Sequence, residues 1–508
     1  MNHSFSQVPT ADIQRSSFDR SHGYKTTFDA GNLIPVFVDE ALPGDTFTLN
    51  PTMFARLNTP ITPVMDNMFL DVHFFAVPIR QLWDNFRKFM GEQANPGDTT
   101  DYLVPTMTSP SGGYSNQSLQ DYMGIPTQVT GIEHSALFTR AYNHIYNEWF
   151  RDQNLVDSAV VDTGDGPDSP TDYVLRKRGI RHDYFTSSLP FLQKGDAIEL
   201  PLGTSAPIKA DTTRGNSGQY LAMNDVNDSI SQLYQGTNTI YLAANSVGNS
   251  IYADLSQATA ATINQLRQSF QIQKLLERDA RSGTRYSEIV KAHFGVNFMD
   301  VTYRPEFLGG TSVPINVESV PQTSSTDGTT PQGNLAAYGT SVLKGGGFTK
   351  SFTEHCVIMG IASVRADLTY QQGLNRMWSR KTRYDFYWPA LSNIGEQSVL
   401  NKEIYADGTS ADDDVFGYQE RYAEYRYKPS LITGKLRSND AQSLDVWHLS
   451  QNFGSLPQLN QTFIEETPPI DRVVAVTTEP DFLMDCYFNL RCARPMPLYS
   501  VPGLIDHF

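Results

Sequence analysis

The amino-acid sequence predicts a mainly β protein, a β-sandwich elaborated by long surface loops and joined by short helices. Composition is the first observation behind that expectation: 29 prolines, 36 glycines and 11% aromatic residues against only 19% charged residues favour short strands and structured loops over long solvated helices. A period-two alternation from Met68 to Val77 is the second, and a continuous apolar run from Cys356 to Val364, fit for a buried strand, is the third. At 508 residues the chain would suit about three average domains, yet all-β units often reach about 250 residues and accept long insertions. One sandwich with large excursions accommodates it.

The elements follow in order. Pro35–Val38 and Thr46–Leu49 read as short strands joined by a turn at Leu42–Asp45, where Pro43 presets φ and Gly44 permits φ above zero. In the next strand Met68, Leu70, Val72, Phe74 and Ala76 share one side, with Asp71 and His73 interrupting the other. After Pro78, a residue tolerated in a first helical turn, Ile79, Leu82, Trp83, Phe86 and Met90 recur at helical spacing. The stretch 91–130 carries Pro96-Gly97, Ser109-Pro110 and Gly112-Gly113 and reads as a wrapping loop. Ser135 then caps an expected helix whose apolar face includes Leu137, Ala141, Tyr142, Ile145 and Trp149.

The segment Ser17–Glu92, with the words SFDRSHGYKTTFDAGNLIPVFVDEALPGDTF and LNTPITPVMDNMFLDVHFFAVPIRQLWDNFRKFMGE, resembles the N-terminal part of microvirus major capsid proteins. RHDYFTSSLPFLQKGD, FGVNFMDVTYRPEFLGG, RADLTYQQGLNRMWSRKTRYDFYWPALSNIGEQ, VFGYQERYAEYRYKPSLITGKLRS and the closing RPMPLYSVPG resemble the same family in the same order. Similarity thins only in two low-complexity stretches. The resemblance, to the gokushovirus-like branch in particular, implies an eight-stranded viral jelly roll with long loop insertions and several short helices. It also implies a structural protein that tiles the simplest icosahedral shell (T=1) around circular single-stranded DNA, assembled in the host bacterial cytoplasm. The implied partners are further copies of the chain, the DNA, a small basic DNA-associated protein, an internal scaffold, a pilot protein and a host surface receptor.

Residues 1–202 are expected to form the first part of the jelly-roll core with connecting helices, and 251–508 its remainder, with a second loop-rich region at 309–350. Between them, 25 of the 48 residues in 203–250 are Gly, Ser, Thr, Asn or Asp, too polar for a core of their own, so this segment reads as a surface insertion. It lies between a strand-like Ala197–Leu200 and a helical stretch near Leu255–Ala280. The resemblance implies a protrusion at the threefold axes that attaches to the host, with Gly215, Asn216, Tyr220, Asn227 and Tyr234 as candidate contacts.

A net charge of −16, from 39 basic and 55 acidic residues, excludes a generic polyanion binder but leaves local patches. The densest basic run holds Arg176, Lys177, Arg178 and Arg181 beside Tyr184 and Phe185, which suits single-stranded DNA through cations on phosphates and rings on bases; a subunit contact or a solvated loop suits it as well. A second group, Arg376, Trp378, Arg380, Lys381 and Arg383 among further aromatics, has the composition of a buried protein interface, and that reading is favoured over DNA contact.

No catalytic arrangement emerges. HExxH and G-x-S-x-G are absent, and Gly434-Lys435 lacks the rest of a phosphate loop. Asp412–Asp414 lacks the ligand spacing of a calcium loop and reads as an exposed acidic turn, and His134 and His144 are not spaced as a helical ligand pair, so neither a metal nor a cofactor is expected. Cys356, Cys486 and Cys492 are too few and too irregular for a disulfide framework and read as buried free thiols. No run approaches the roughly 18 apolar residues of a membrane span. The rival reading is a β-rich carbohydrate-binding protein or glycosidase, which would need two placed carboxylates.

Overall fold

The structure, a computed structural model, describes residues 13–196, 198, 208–210, 222–224, 230–232, 251–253, 263–297, 303–328 and 331–499. The chain divides into two compact units, Gln193–Ser282 and the remainder. In the larger unit ten strands form one curled antiparallel sheet: β1 (Ser16–Asp19), β2 (His22–Phe28), β3 (Ile34–Ala41), β4 (Thr46–Leu57), β5 (Met68–Pro78), β6 (Glu306–Pro321), β7 (Leu335–Lys344), β8 (Phe348–Ser351), β9 (Cys356–Ala366) and β10 (Phe482–Arg494). Their order across the sheet is β1-β10-β4-β7-β6-β5-β9-β3, with β2 also on β10 and β8 also on β4.

Curling follows from β6. Its first part, through Ile315, pairs with β5, and its last part, from Asn316, pairs with β7, so one long strand turns the corner between the two halves of the jelly-roll sandwich. The register slips between Phe307 and Gly309, a bulge of the kind that bends a strand. A Cβ on Gly310 would lie 2.6 Å from both the Val72 carbonyl oxygen and His73 Nδ1, so only glycine lets the strands close here.

Between the halves, Phe28, Phe47, Leu49, Leu70, Val72, Phe74, Ile358, Phe482 and Phe488 form the main core. A second layer covers the other face of β5 and β9: Phe75, Val77, Val357, Met359 and Ile361 pack on Trp83, Ala141, Tyr142 and Ile145. Both faces of β9 are therefore dry, which explains its continuous apolar run. β4 and β10 instead alternate buried and exposed residues, so the sheet meets solvent on one side there.

Of the expected turns, Leu42–Asp45 forms as read: the Asp45 amide donates to the Leu42 carbonyl (3.0 Å) and Gly44 sits at φ +88°. The strands it joins part company, β3 going to β9 and β4 lying between β10 and β7. The helix expected after Pro78 is broken into a 3-10 turn, Ile79–Gln81, and a single α turn, Phe86–Phe89. The Asp84 amide donates to Thr163 (2.9 Å) instead of continuing the helical ladder, and Met90 is left exposed. Ile79, Leu82, Trp83 and Phe86 are nevertheless buried as the spacing required. Ser135 does accept a bond from the Leu137 amide (3.3 Å) at the start of helix α1 (Leu137–Ile145), which runs on as a π turn at Tyr146–Phe150.

The loop-rich reading of 309–350 gives way to strand. β6, β7 and β8 occupy much of it, and its glycines make room within the sheet, Gly310 for the Val72 backbone and Gly339 for the Leu57 side chain. In the smaller unit helix α2 (Ile263–Ser282) is described by itself; Ala197 to Leu200 lies outside the described residues except for Ile198. No helix among the described residues is long and apolar enough to cross a membrane.

Candidate functional site

The basic run at 176–181 is woven into the larger unit rather than lying loose. The Arg178 amide donates to the Gly31 carbonyl (2.9 Å), the Arg178 carbonyl accepts from Glu466 (2.9 Å), and the Ile180 amide donates to Ile464 (2.8 Å). Arg176 lies over the Tyr146 ring, and Lys177 Nζ donates to Thr467 Oγ1 (3.1 Å). Arg178 Nη1 donates to Asp71 Oδ2 (2.6 Å) and Ser363 Oγ (3.0 Å), while Arg365 Nε reaches the same Asp71 oxygen (2.9 Å). Arg181 is exposed and has no side-chain partner among the described residues.

Arg365 Nη1 also lies 3.7 Å from Asp367 Oδ1, so the two guanidinia face two carboxylates. Burial works against the Asp71 anion, but the neighbouring Ser312 hydroxyl and the guanidinia outweigh it and hold the pKa below the usual carboxylate range. Burial also lowers the pKa of His73, so its ring is neutral at pH 7. These groups line a cleft of about 550 Å³, together with Trp149, Phe150, Arg151, Arg181, Arg285 and Phe307. The sequence reading found Arg178 and Arg181 but missed Arg151, Arg285 and Arg365, which come from distant segments; the signal was Asp71, a carboxylate on a strand face with apolar neighbours.

The second predicted group divides. Arg376 turns inward, its Nη1 donating to the Ser398 carbonyl (2.6 Å) and Glu403 Oε1 (3.0 Å). Tyr184 donates to the other Glu403 oxygen (2.8 Å), and burial raises the Glu403 pKa despite the attraction of Arg376. Arg380 lies between the Phe386 and Tyr425 rings, at 5.4 and 4.3 Å from their centroids. Arg383 lies over Tyr384 and Trp388, and Tyr387 meets Tyr422 and Tyr425 edge-on. Lys381 is exposed, and Trp378 is 71% exposed. Tyr384, Phe386, Tyr387, Trp388, Tyr425 and Tyr427 all remain open to solvent as well, an exposed aromatic and cationic group.

The acidic turn holds no metal cluster: the Asp412 carboxylate accepts the amides of Asp407 and Gly408, and among the described residues no group of His, Cys, Asp and Glu is placed to bind an ion. His134 bonds to Tyr114, and half-buried His144 has its pKa pushed down to about 4 by desolvation. The proposed attachment residues Gly215, Asn216, Tyr220, Asn227 and Tyr234 lie outside the described residues.

A curled jelly-roll-like sandwich with many exposed aromatic side chains defines a structural, association-competent class of protein. The chain belongs to the phage capsid protein (F protein) family, whose model matches residues 6–504. It is 51% identical to the capsid protein VP1 of Bdellovibrio phage phiMH2K, over 100% of this chain and 98% of that protein. It is 45% identical to the capsid protein VP1 of Chlamydia phage 1 (99% and 98% covered) and 37% identical to that of Spiroplasma virus 4 (99% and 97% covered). The chain is thus a structural capsid protein of the virion and not an enzyme, which sets aside the glycosidase reading.

Proposed function

We propose that copies of this chain tile a T=1 icosahedral shell around circular single-stranded DNA, with the insertion at 203–250 forming a protrusion at the threefold axes that attaches to the host. The observation that carries the assembly reading is the face from Trp378 to Tyr427. Trp, Tyr and Arg are the side chains that dominate protein interfaces, and a solitary soluble chain rarely leaves so many aromatic rings together in water. Closed symmetry lets one such face repeat around every axis, and obligate contacts commonly bury about 2,000 Å² or more. Similarity to capsid proteins along the whole chain supports the same reading.

The charge of −16 recurs on every copy, so packaging calls for separate cations, polyamines or a small basic protein, with an internal scaffold and a pilot protein as further partners. Negative-stain imaging of the chain, expressed alone and with its neighbouring genes, tests the reading. Closed particles of uniform size are expected; persistent monomers or fibres in both cases overturn it. Particles that contain DNA but no basic protein or other counter-cation overturn the packaging part.

A further inference from the structure

We infer that the exposed aromatic group at 378–427 takes the proline-containing segment 495–508 of a second copy, laid over its neighbour's rings. The inference deepens the assembly reading, on which it rests, by naming what covers that surface. β10 ends at Arg494, and this root is fixed: Nη2 donates to the Glu40 carbonyl (2.7 Å), and Nε lies 3.1 Å from Asp45 Oδ2. Past that anchor the chain is apolar and bare. Met496, Leu498 and Tyr499 are 40%, 57% and 78% exposed, and no side chain of 495–499 has a hydrogen bond or ring contact among the described residues. The sequence goes on with Val501, Pro502, Leu504, Ile505 and Phe508, and Asp506 is the one formally charged residue in 495–508. Up to Tyr499 this apolar stretch finds no shelter in its own subunit, the mark of a surface that another chain covers.

The rings offer the matching surface. Tyr387 meets Tyr422 and Tyr425 edge-on, at 5.2 and 6.2 Å between centroids, and its amide donates to the Tyr425 hydroxyl (3.3 Å). Trp388 Nε1 donates to the Arg383 carbonyl (2.8 Å), so Tyr387 and Trp388 are held in place while staying exposed. Rigid tyrosine and tryptophan rings are what extended, proline-containing peptides dock on, because proline fixes φ at about −65° and leaves less chain entropy to lose. Pro495 and Pro497 supply that stiffness, with Pro502 following. Charge agrees as well. Arg380, Arg383 and Arg421 lie over rings of this group, and the segment brings no lysine or arginine against them. Within one subunit no hydrogen bond, ion pair or ring contact among the described residues joins 495–499 to 376–427, which leaves the two bare surfaces to meet between copies.

The test uses the full-length chain as unassembled subunits, with a fluorescent peptide of the sequence 495–508 as probe and anisotropy as readout. Saturable binding is expected, weakened about tenfold or more by Trp378→Ala and by Trp388→Ala. A peptide with its three prolines replaced by glycine should bind the wild type more weakly as well. Thermal melting of each variant confirms that it is folded. Tyr499→Ala in the full-length chain is expected to lower the yield of closed particles. The inference is overturned if the wild type does not bind the peptide, if neither folded tryptophan variant weakens binding, or if Tyr499→Ala assembles like the wild type. It is overturned too if the peptide binds Tyr499→Ala subunits far more tightly than wild type, which would put the segment on its own subunit. Displacement by an oligothymidylate as effective as by unlabelled peptide would make the rings a nucleic-acid surface and overturn it likewise. Because peptide binding is read on subunits, failure of the wild type to form particles would count against the shell reading and leave the peptide result standing by itself.

Discussion

Arg140 and Asp168 form a two-point ion pair in the interior: Nε to Oδ2 at 2.8 Å and Nη2 to Oδ1 at 2.6 Å, with both side chains almost completely out of water. The remaining capacity is used as well. Arg140 Nη1 donates to the carbonyls of Leu82 and Gly164 (2.9 Å each), and Tyr173 donates to Asp168 Oδ2 (2.5 Å). The pair thereby ties helix α1 to the broken helix after β5 and to the loop at 164–168. Removing one partner strands a buried charge, so Arg140→Leu or Asp168→Leu is expected to cost about 3–5 kcal/mol. Denaturant unfolding of the unassembled chain measures it. The double variant should lose less than the sum of the two, and strict additivity would show that the pair does not act as a unit.

Much of the frame was legible because its signals are local. Alternation in β5 and the unbroken apolar run of β9 need no knowledge of the partner strands, and the turn at Leu42–Asp45 is set by its own proline and glycine. What escaped was decided at long range. The Asp84 amide leaves the helix after Pro78 for the Thr163 carbonyl, a partner no periodicity announces. Residues 309–350 look like loop by composition, yet glycines there serve strand crowding at Gly310 and Gly339. The surfaces divide in the same way: clustered cations at 176–181 and 376–383 were visible, but only folding turns Arg376 inward and adds Arg365, Arg151 and Arg285 to the cleft.

Glu466 gives the fold a pH dependence of definite sign. It is 2% exposed, and burial pushes its pKa up to about 7 from 4.5, against the opposing pull of the Ala366 amide, Arg178 and Arg365. The native carboxyl therefore keeps its proton where the unfolded chain has released it. Stability falls as pH rises from about 4.5 to about 7, by about 3 kcal/mol in all, and is level above that range. Glu466→Gln still offers an oxygen to the Ala366 amide but cannot ionise. Its melting temperature should exceed that of the wild type at pH 8 and match it near pH 5; an equal deficit at both values would refute the assignment.

The three cysteines should be silent in the native chain. Cys356, Cys486 and Cys492 are 4%, 1% and 0% exposed, and burial pushes the thiols of the first two up to about 12. Thiolate is the reactive form, so accessibility and ionisation both oppose modification. A chromogenic disulfide reagent at pH 8 is expected to label none of them in folded subunits and all three in denaturant. Rapid labelling of a native thiol would mean that the sheet opens locally at β9 or β10.

Trp378 separates assembly from DNA contact. Because 71% of it is exposed, Trp378→Ala removes little from the subunit's own core and should leave the melting temperature of unassembled chain nearly unchanged. At an interface the same truncation commonly costs 2 kcal/mol or more, and a closed shell repeats the loss at every copy. The expected result is folded subunits that fail to close into particles, with Trp378→Phe restoring part of the yield by keeping an aromatic surface. Lys381→Ala, outside the ring stack formed by Arg380, Phe386 and Tyr425, should have a smaller effect on yield. Should Trp378→Ala instead give a normal yield of closed particles with reduced DNA content, the aromatic face would be a nucleic-acid surface and the subunit interface would have to be sought elsewhere on the molecule.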